Sequence, residues 1–161
     1  MGKILLLCVA VLGFGLGWFC CIFSNGVDIP VGAAVLYSGG QVLLPSDRVE
    51  QSRVHVFPDG VVIDVENVRW AEYGGDSMEP VLGVGANGLE LVPESEADVH
   101  VGDIAAYEPN WSDGLIAHRV VGIRSDEEGT YYVLKGDNAA LADPGRVRFS
   151  QIRYVLIGVI Y

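Results

Sequence analysis

Residues 4–23 (ILLLCVAVLGFGLGWFCCIF) form an uninterrupted run without a single charge. A helix of that length spans about 30 Å, the thickness of a bilayer's hydrocarbon core. The run predicts one transmembrane helix and leaves residues 24–161 to fold as one domain of ordinary size. Lys3 precedes the run and Asp28 is the first charge after it. The positive-inside tendency then puts the N-terminus in the cytoplasm and the large domain on the far side of the membrane. A cleaved secretory signal is the competing reading. Against it, Trp18, Phe19 and Phe23 are bulky where a cleavage site wants small residues.

Beyond the run, nine basic against 21 acidic side chains give the domain a net charge of −12. Such a field repels phosphate backbones, which argues against nucleic-acid binding. Cys8, Cys20 and Cys21 all lie inside the apolar run, so the domain has no cysteine for a disulfide framework or a thiolate zinc site. No His-x-x-x-His pair and no glycine-rich phosphate loop occurs, and neither a metal nor a cofactor is expected.

From residue 24 to 51 the chain reads as a linker with short strands near 33–37 and 41–44. Alternation over Arg53–Phe57, the turn residues Pro58-Asp59-Gly60 and the run Val61–Val65 predict a hairpin. Further strands are expected at 68–73, 89–92, 103–107, 115–123, 130–135 and 152–160, with core at 120–123 and 154–160. Gly, Asn and Asp clusters separate them, and no long helical period follows residue 23. The pattern predicts a mainly β, antiparallel domain. We divide the chain into a membrane helix (4–23), a linker with accessory strands (24–70) and a β domain (71–161).

Three short blocks carry reactive groups. In Gly75-Asp76-Ser77-Met78-Glu79-Pro80 a serine follows a Gly-Gly break and precedes a proline. That context places a hydroxyl on an exposed turn, where backbone N–H groups can converge on an oxyanion. A serine hydroxyl needs a base. His55 and His100 lie in less suitable surroundings, whereas His118 sits in Leu115-Ile116-Ala117-His118-Arg119-Val120-Val121, a largely apolar strand with little other reason to hold an imidazole. The third block is Lys135-Gly136-Asp137-Asn138 followed by Asp143-Pro144-Gly145. Either aspartate could orient an imidazole, and both also fit ordinary turns.

Taken in order, these blocks resemble the signal peptidase I family. Gly75–Pro80 is similar to its nucleophile box, and Val101-Gly102-Asp103-Ile104-Ala105-Ala106-Tyr107 to its Gly-Asp-Ile strand. Ile116–Val120 is similar to the base-bearing strand, and Lys135–Asn138 with Asp143 to the last box. The resemblance covers roughly 70–160 and the single N-terminal span. The bacterial type uses a lysine base. Here the matching position is His118, which resembles the archaeal and endoplasmic-reticulum type.

The resemblance implies a signal-peptidase-like β domain and a membrane-anchored serine endopeptidase that removes signal peptides from exported preproteins. Ser77 would attack the scissile carbonyl, His118 would take its proton, and an aspartate would hold the imidazolium. By family position Asp143 is the better match and Asp137 the second. The Ser77 amide would serve the oxyanion, and small residues are expected at the first and third positions before the cut. Two departures stand out. Gly75 occupies the place where many members carry a hydroxyl, and 53 residues (24–76) separate the span from Ser77. A catalytically inactive, membrane-anchored binding or assembly module is the alternative. A repressor-type self-cleaving protease fits worse, because that type needs a lysine where His118 stands.

Overall fold

The computed structural model describes residues 43–161. The expected membrane span, the strand expected at 33–37 and most of the linker lie outside the described residues. Leu43 and Leu44, at the end of the strand expected over 41–44, have no regular structure. Among the described residues no helix is long and apolar enough to cross a membrane.

The domain is mainly β and antiparallel, as its turn-separated apolar runs predict. Strands β1 (Val54–Phe57) and β2 (Gly60–Ile63) form the expected hairpin across Pro58-Asp59 and make a two-stranded sheet of their own. The other six are β3 (Val68–Glu72), β4 (Asn87–Leu91), β5 (Ile104–Tyr107), β6 (Ile116–Asp126), β7 (Gly129–Lys135) and β8 (Ile152–Ile160). They form one sheet in the order β3-β4-β8-β5-β6-β7, which leaves β3 and β7 at the edges.

Strand β6 runs three residues further than expected. Arg124, Ser125 and Asp126 pair with Tyr131, Thr130 and Gly129 in the hairpin to β7. That end lies beyond the core, so polar residues pair there at no desolvation cost. The expectation of core at 120–123 is corrected for the same reason: Val120 is fully buried, but Ile123 is 40% exposed.

Strand β5 is buried along its whole length. Side chains alternate across a strand, so a fully buried one needs apolar cover on both faces. Ala105 and Tyr107 belong to one core with Val120, Tyr132, Leu134 and Val155. Ile104 belongs to another with Met78, Leu82, Ala86 and Leu156. Fully burying an aliphatic side chain such as Leu82, Val120 or Leu134 contributes about 1.5–3 kcal/mol.

In register, His118 of β6 lies opposite Ala105, and Arg119 opposite Ile104. The two adjacent side chains therefore leave β6 on opposite faces of the sheet. That placement is the feature of the fold that sets up the site.

Asp103, fully buried at the start of β5, ties the entering chain to the domain. It accepts from the Ser46 amide (2.8 Å) and hydroxyl (2.7 Å), from Arg48 Nη2 (2.6 Å) and from the His100 amide (2.8 Å). Burial would raise its pKa, but these donors outweigh it and hold the carboxyl below its ordinary value.

Candidate active site

Ser77 lies on the connection between β3 and β4. Beyond β3 the ladder continues for one more pair, with the Tyr73 amide donating to Ala86 O (2.9 Å) and the Gly85 amide to Tyr73 O (2.8 Å). The chain then turns, and the Glu79 amide donates to Asp76 O (3.1 Å) while the Val81 and Leu82 amides donate to Met78 O (both 3.0 Å). Met78 is 3% exposed and packs among Leu82, Ala86, Ile104 and Leu156. A buried side chain next to an outward serine fixes the backbone that carries the hydroxyl. This is the structural work of the one methionine after Met1.

The segment after β7 grips the serine from the other side. The Asn138 amide donates to Ser77 O (2.9 Å), Asn138 Nδ2 to Asp76 O (3.2 Å), and the Asp137 amide to Met78 Sδ (3.4 Å). Gly136 makes this approach sterically feasible. A Cβ there would lie 2.6 Å from Ser77 O and 3.2 Å from His118 Nε2. In the sequence this block offers a place for an orienting carboxylate. The structure gives Gly136 and Asn138 the further work of clamping the serine segment.

His118 is 7% exposed. Its Nε2 lies 2.9 Å from Ser77 Oγ, and its Nδ1 lies 2.7 Å from Asp143 Oδ2. A carboxylate only accepts, so the Nδ1 proton points at Asp143 and Nε2 keeps its lone pair for the Ser77 hydroxyl. Asp143 is held in turn. Its amide donates to Leu134 O (2.8 Å), and its Oδ2 also accepts from the Tyr107 hydroxyl (2.8 Å). Burial, with the hydrogen bond to Asp143, pushes the Tyr107 phenol well above its ordinary range, so it stays a donor. In the sequence Tyr107 reads only as the end of an apolar strand. Nothing local distinguishes a hydroxyl that donates to a carboxylate from one that reaches water.

The structure brings Ser77, His118 and Asp143 together and places Asp137 elsewhere. Asp137 meets Arg119 in a two-pronged pair, Nε to Oδ1 at 2.7 Å and Nη2 to Oδ2 at 2.6 Å. Arg119 Nη1 also donates to Gly102 O at 2.7 Å. Arg119 faces away from His118 across the pleat, and its aspartate follows it to that face. The remaining histidines are not at the site. His55 lies on the exposed hairpin opposite Val62, and the His100 ring stands 3.5 Å from Arg48.

The Ser77 amide makes no hydrogen bond to another described residue, which leaves it free for an oxyanion. A Cβ at Gly75 would meet nothing within 4 Å, so the position is open as well as without a hydroxyl.

Beside these groups runs a cleft of about 490 Å³, walled by Met78, Leu82, Leu115 and Ile116, with Ala106 and Ala117 along it. Ser77 and His118 line it, as do Tyr73 and Glu90 further off. Burial raises the Glu90 carboxyl, while the hydrogen bond from Tyr73 and the field of Arg69 work the other way. Among the described residues no group of His, Cys, Asp and Glu is arranged to hold a metal ion. No protein-family model, curated protein or solved structure matches this chain.

Proposed function

We propose that the chain is a membrane-anchored serine endopeptidase of the signal peptidase I type, acting on exported preproteins. The observation that carries this reading is the unbroken hydrogen-bond chain from Ser77 Oγ through the His118 ring to Asp143. It is supported by its setting at the rim of an apolar cleft. The four boxes that resemble the family, and a charge-free run long enough to cross a bilayer, point the same way.

In this mechanism Ser77 Oγ adds to the scissile carbonyl carbon as its proton passes to His118 Nε2. Asp143 holds the imidazolium by its Nδ1 proton, and Tyr107 keeps the Asp143 oxygen in place. The Ser77 amide donates to the oxyanion. His118 then protonates the leaving amine, which departs and leaves an acyl-serine ester. A water, deprotonated by His118, hydrolyses that ester and restores Ser77. The substrate lies extended beside β3, the edge strand that leads into the serine turn. The apolar run at 4–23 anchors the protein, with its N-terminus in the cytoplasm and the catalytic domain across the membrane.

The test is cleavage of a preprotein with an Ala-x-Ala site by the detergent-solubilised full chain. Wild type cuts it at one position, and Ser77→Ala and His118→Ala each lower the rate by at least about 10⁴-fold. Equal cleavage by wild type and Ser77→Ala overturns the proposal. A folded wild type that cuts no preprotein favours a binding module instead.

A further inference from the structure

The connection between β5 and β6 carries a group that the catalytic site does not use. Its tip, residues 110–114, is exposed throughout, while its base is tied down. Pro109 is buried, the Glu108 amide donates to Gln151 O (2.9 Å), and the Glu108 carboxylate pairs with Arg153 (2.6 Å). At the start of the tip stands Asn110-Trp111-Ser112. Of the five asparagines in the chain, only Asn110 is followed two positions later by serine or threonine. An asparagine with a hydroxyl residue at that spacing, and no proline between, is the acceptor pattern for an N-linked glycan.

The hydrogen bonds fix which way the Asn110 amide faces. Gln151 Nε2 donates to Glu108 O at 2.9 Å, and a carbonyl oxygen only accepts. The Asn110 atom that lies 3.3 Å from the same nitrogen is therefore the carbonyl oxygen, Oδ1. Among the described residues Nδ2, on the other side of the amide, has no hydrogen-bond partner. An N-linked sugar replaces one hydrogen on Nδ2 and leaves the carbonyl as it was. The folded loop thus accepts the sugar without losing a contact: Oδ1 keeps Gln151, and Nδ2 has no bond to give up. The tip also leaves two large apolar side chains in water, Trp111 at 48% and Leu115 at 52% exposure. A sugar on Asn110 has the Trp111 indole as its chain neighbour, and the flat ring suits the C–H face of a pyranose.

We infer that Asn110 is a modification site: it takes an N-linked oligosaccharide from a lipid-linked, phosphate-activated sugar donor. In the transfer the bond from sugar C1 to the phosphate oxygen breaks and a bond from C1 to Nδ2 forms. The lipid phosphate leaves with the electron pair, and one Nδ2 proton passes to a base, so nothing is oxidised or reduced. The inference rests on one part of the function proposed above, the placement of the domain across the membrane, where such donors present their sugars. It does not need the peptidase chemistry.

The test follows the mass of the full chain. The chain is synthesised into membrane vesicles that hold an oligosaccharyl transferase and its lipid-linked donor, then run on a gel before and after treatment with peptide N-glycosidase. Wild type should gain one glycan increment, which the glycosidase removes. Asn110→Gln and Ser112→Ala should each lose the increment completely, and Ser112→Thr should keep it. A control carries Asp59→Asn with Val61→Thr, which builds a second acceptor triplet at the exposed β1–β2 turn and should gain two increments. A control modified only at that turn shows that the domain crossed the membrane and that Asn110 is refused. That outcome overturns the inference and leaves the topology standing. No increment on wild type or control overturns the topology and the inference together, and an increment on wild type that survives Asn110→Gln overturns the inference. Preprotein cleavage by the same samples reports on the peptidase reading separately: a glycosylated chain that cuts nothing sinks that reading and leaves Asn110 as the acceptor.

Discussion

His118 and Arg119 are neighbours in the chain and opposites in use. Both are nearly buried on β6, and each meets an aspartate from the segment that follows β7. Arg119 and Asp137 close on each other: two parallel hydrogen bonds saturate the carboxylate face, and a third guanidinium donor goes to Gly102 O. His118 and Asp143 stay open at one end. The ring passes its second nitrogen to a serine hydroxyl at the edge of a cleft, where a proton has somewhere to go. A saturated pair holds structure, and an unsaturated chain can do chemistry. The two share a loop: both aspartates follow β7, and Asn138, next to Asp137, donates its amide to Ser77 O.

The comparison breaks most sharply at the two aspartates. Asp143→Asn should lower kcat by about 10⁴-fold, because the amide no longer enforces the Nδ1–H tautomer or stabilises an imidazolium. Its stability should change by less than about 1 kcal/mol, since the pocket keeps its shape and a polar partner. Preprotein cleavage and thermal unfolding of the same sample check both halves.

Asp137→Asn should give the reverse. Leaving the Arg119 guanidinium without its carboxylate should cost about 3–5 kcal/mol of stability, and replacing both partners by Leu and Met should recover much of that. Denaturant titration reads the effect. If Asp137→Asn proved more harmful to kcat than Asp143→Asn at a temperature where both are folded, the assignment of the two aspartates would be reversed.

How much of this was legible in the sequence depends on what decides each feature. The strands were legible because apolar runs and Gly-Asn-Asp turns are local signals, and every strand of the six-stranded sheet lies near its expected place. Ser77 and His118 stood out because each sat in a context that gave its side chain little other purpose. The local context of Asp137 and Asp143 does not choose between them, since both lie in turn sequences and the outcome depends on which face of β6 each loop residue reaches; only the family resemblance ranks Asp143 first. Arg119 was hidden for the same reason: in the sequence it reads as one charge in an apolar strand. Glu90 gave no signal, because burial is set by β3 and β8 on either side of it.

The shared loop offers a milder break at Gly136. A methyl group there would stand 2.6 Å from Ser77 O, a clash with backbone that neither neighbour can relieve by a rotamer change. Gly136→Ala should therefore cost about 1–3 kcal/mol and disturb both sides together: stability falls and kcat falls with it as the serine moves off the imidazole. Unfolding and cleavage measured on one preparation test this. A loss of stability with unchanged kcat would mean that the clamp on Ser77 is not what aligns it.

The smallest effect belongs to Tyr107, and it sharpens the comparison from the open side. Tyr107→Phe removes one donor from Asp143 Oδ2 and leaves the ring, the fold of β5 and the His118 contact in place. An orienting hydrogen bond of this kind contributes about 0.5–1.5 kcal/mol, so kcat should fall by about three- to tenfold while KM is unchanged. With Tyr107 gone, Asp143 keeps its full charge for His118 and could hold the imidazolium more strongly, which would raise the rate. The geometry argues for the fall, because Tyr107 fixes the same oxygen that faces Nδ1, and a carboxylate free to rotate loses that alignment. Parallel kcat and KM measurements on Tyr107→Phe distinguish the two: a drop in kcat alone makes Tyr107 a positioning residue, and a rise makes it a brake on the same pair.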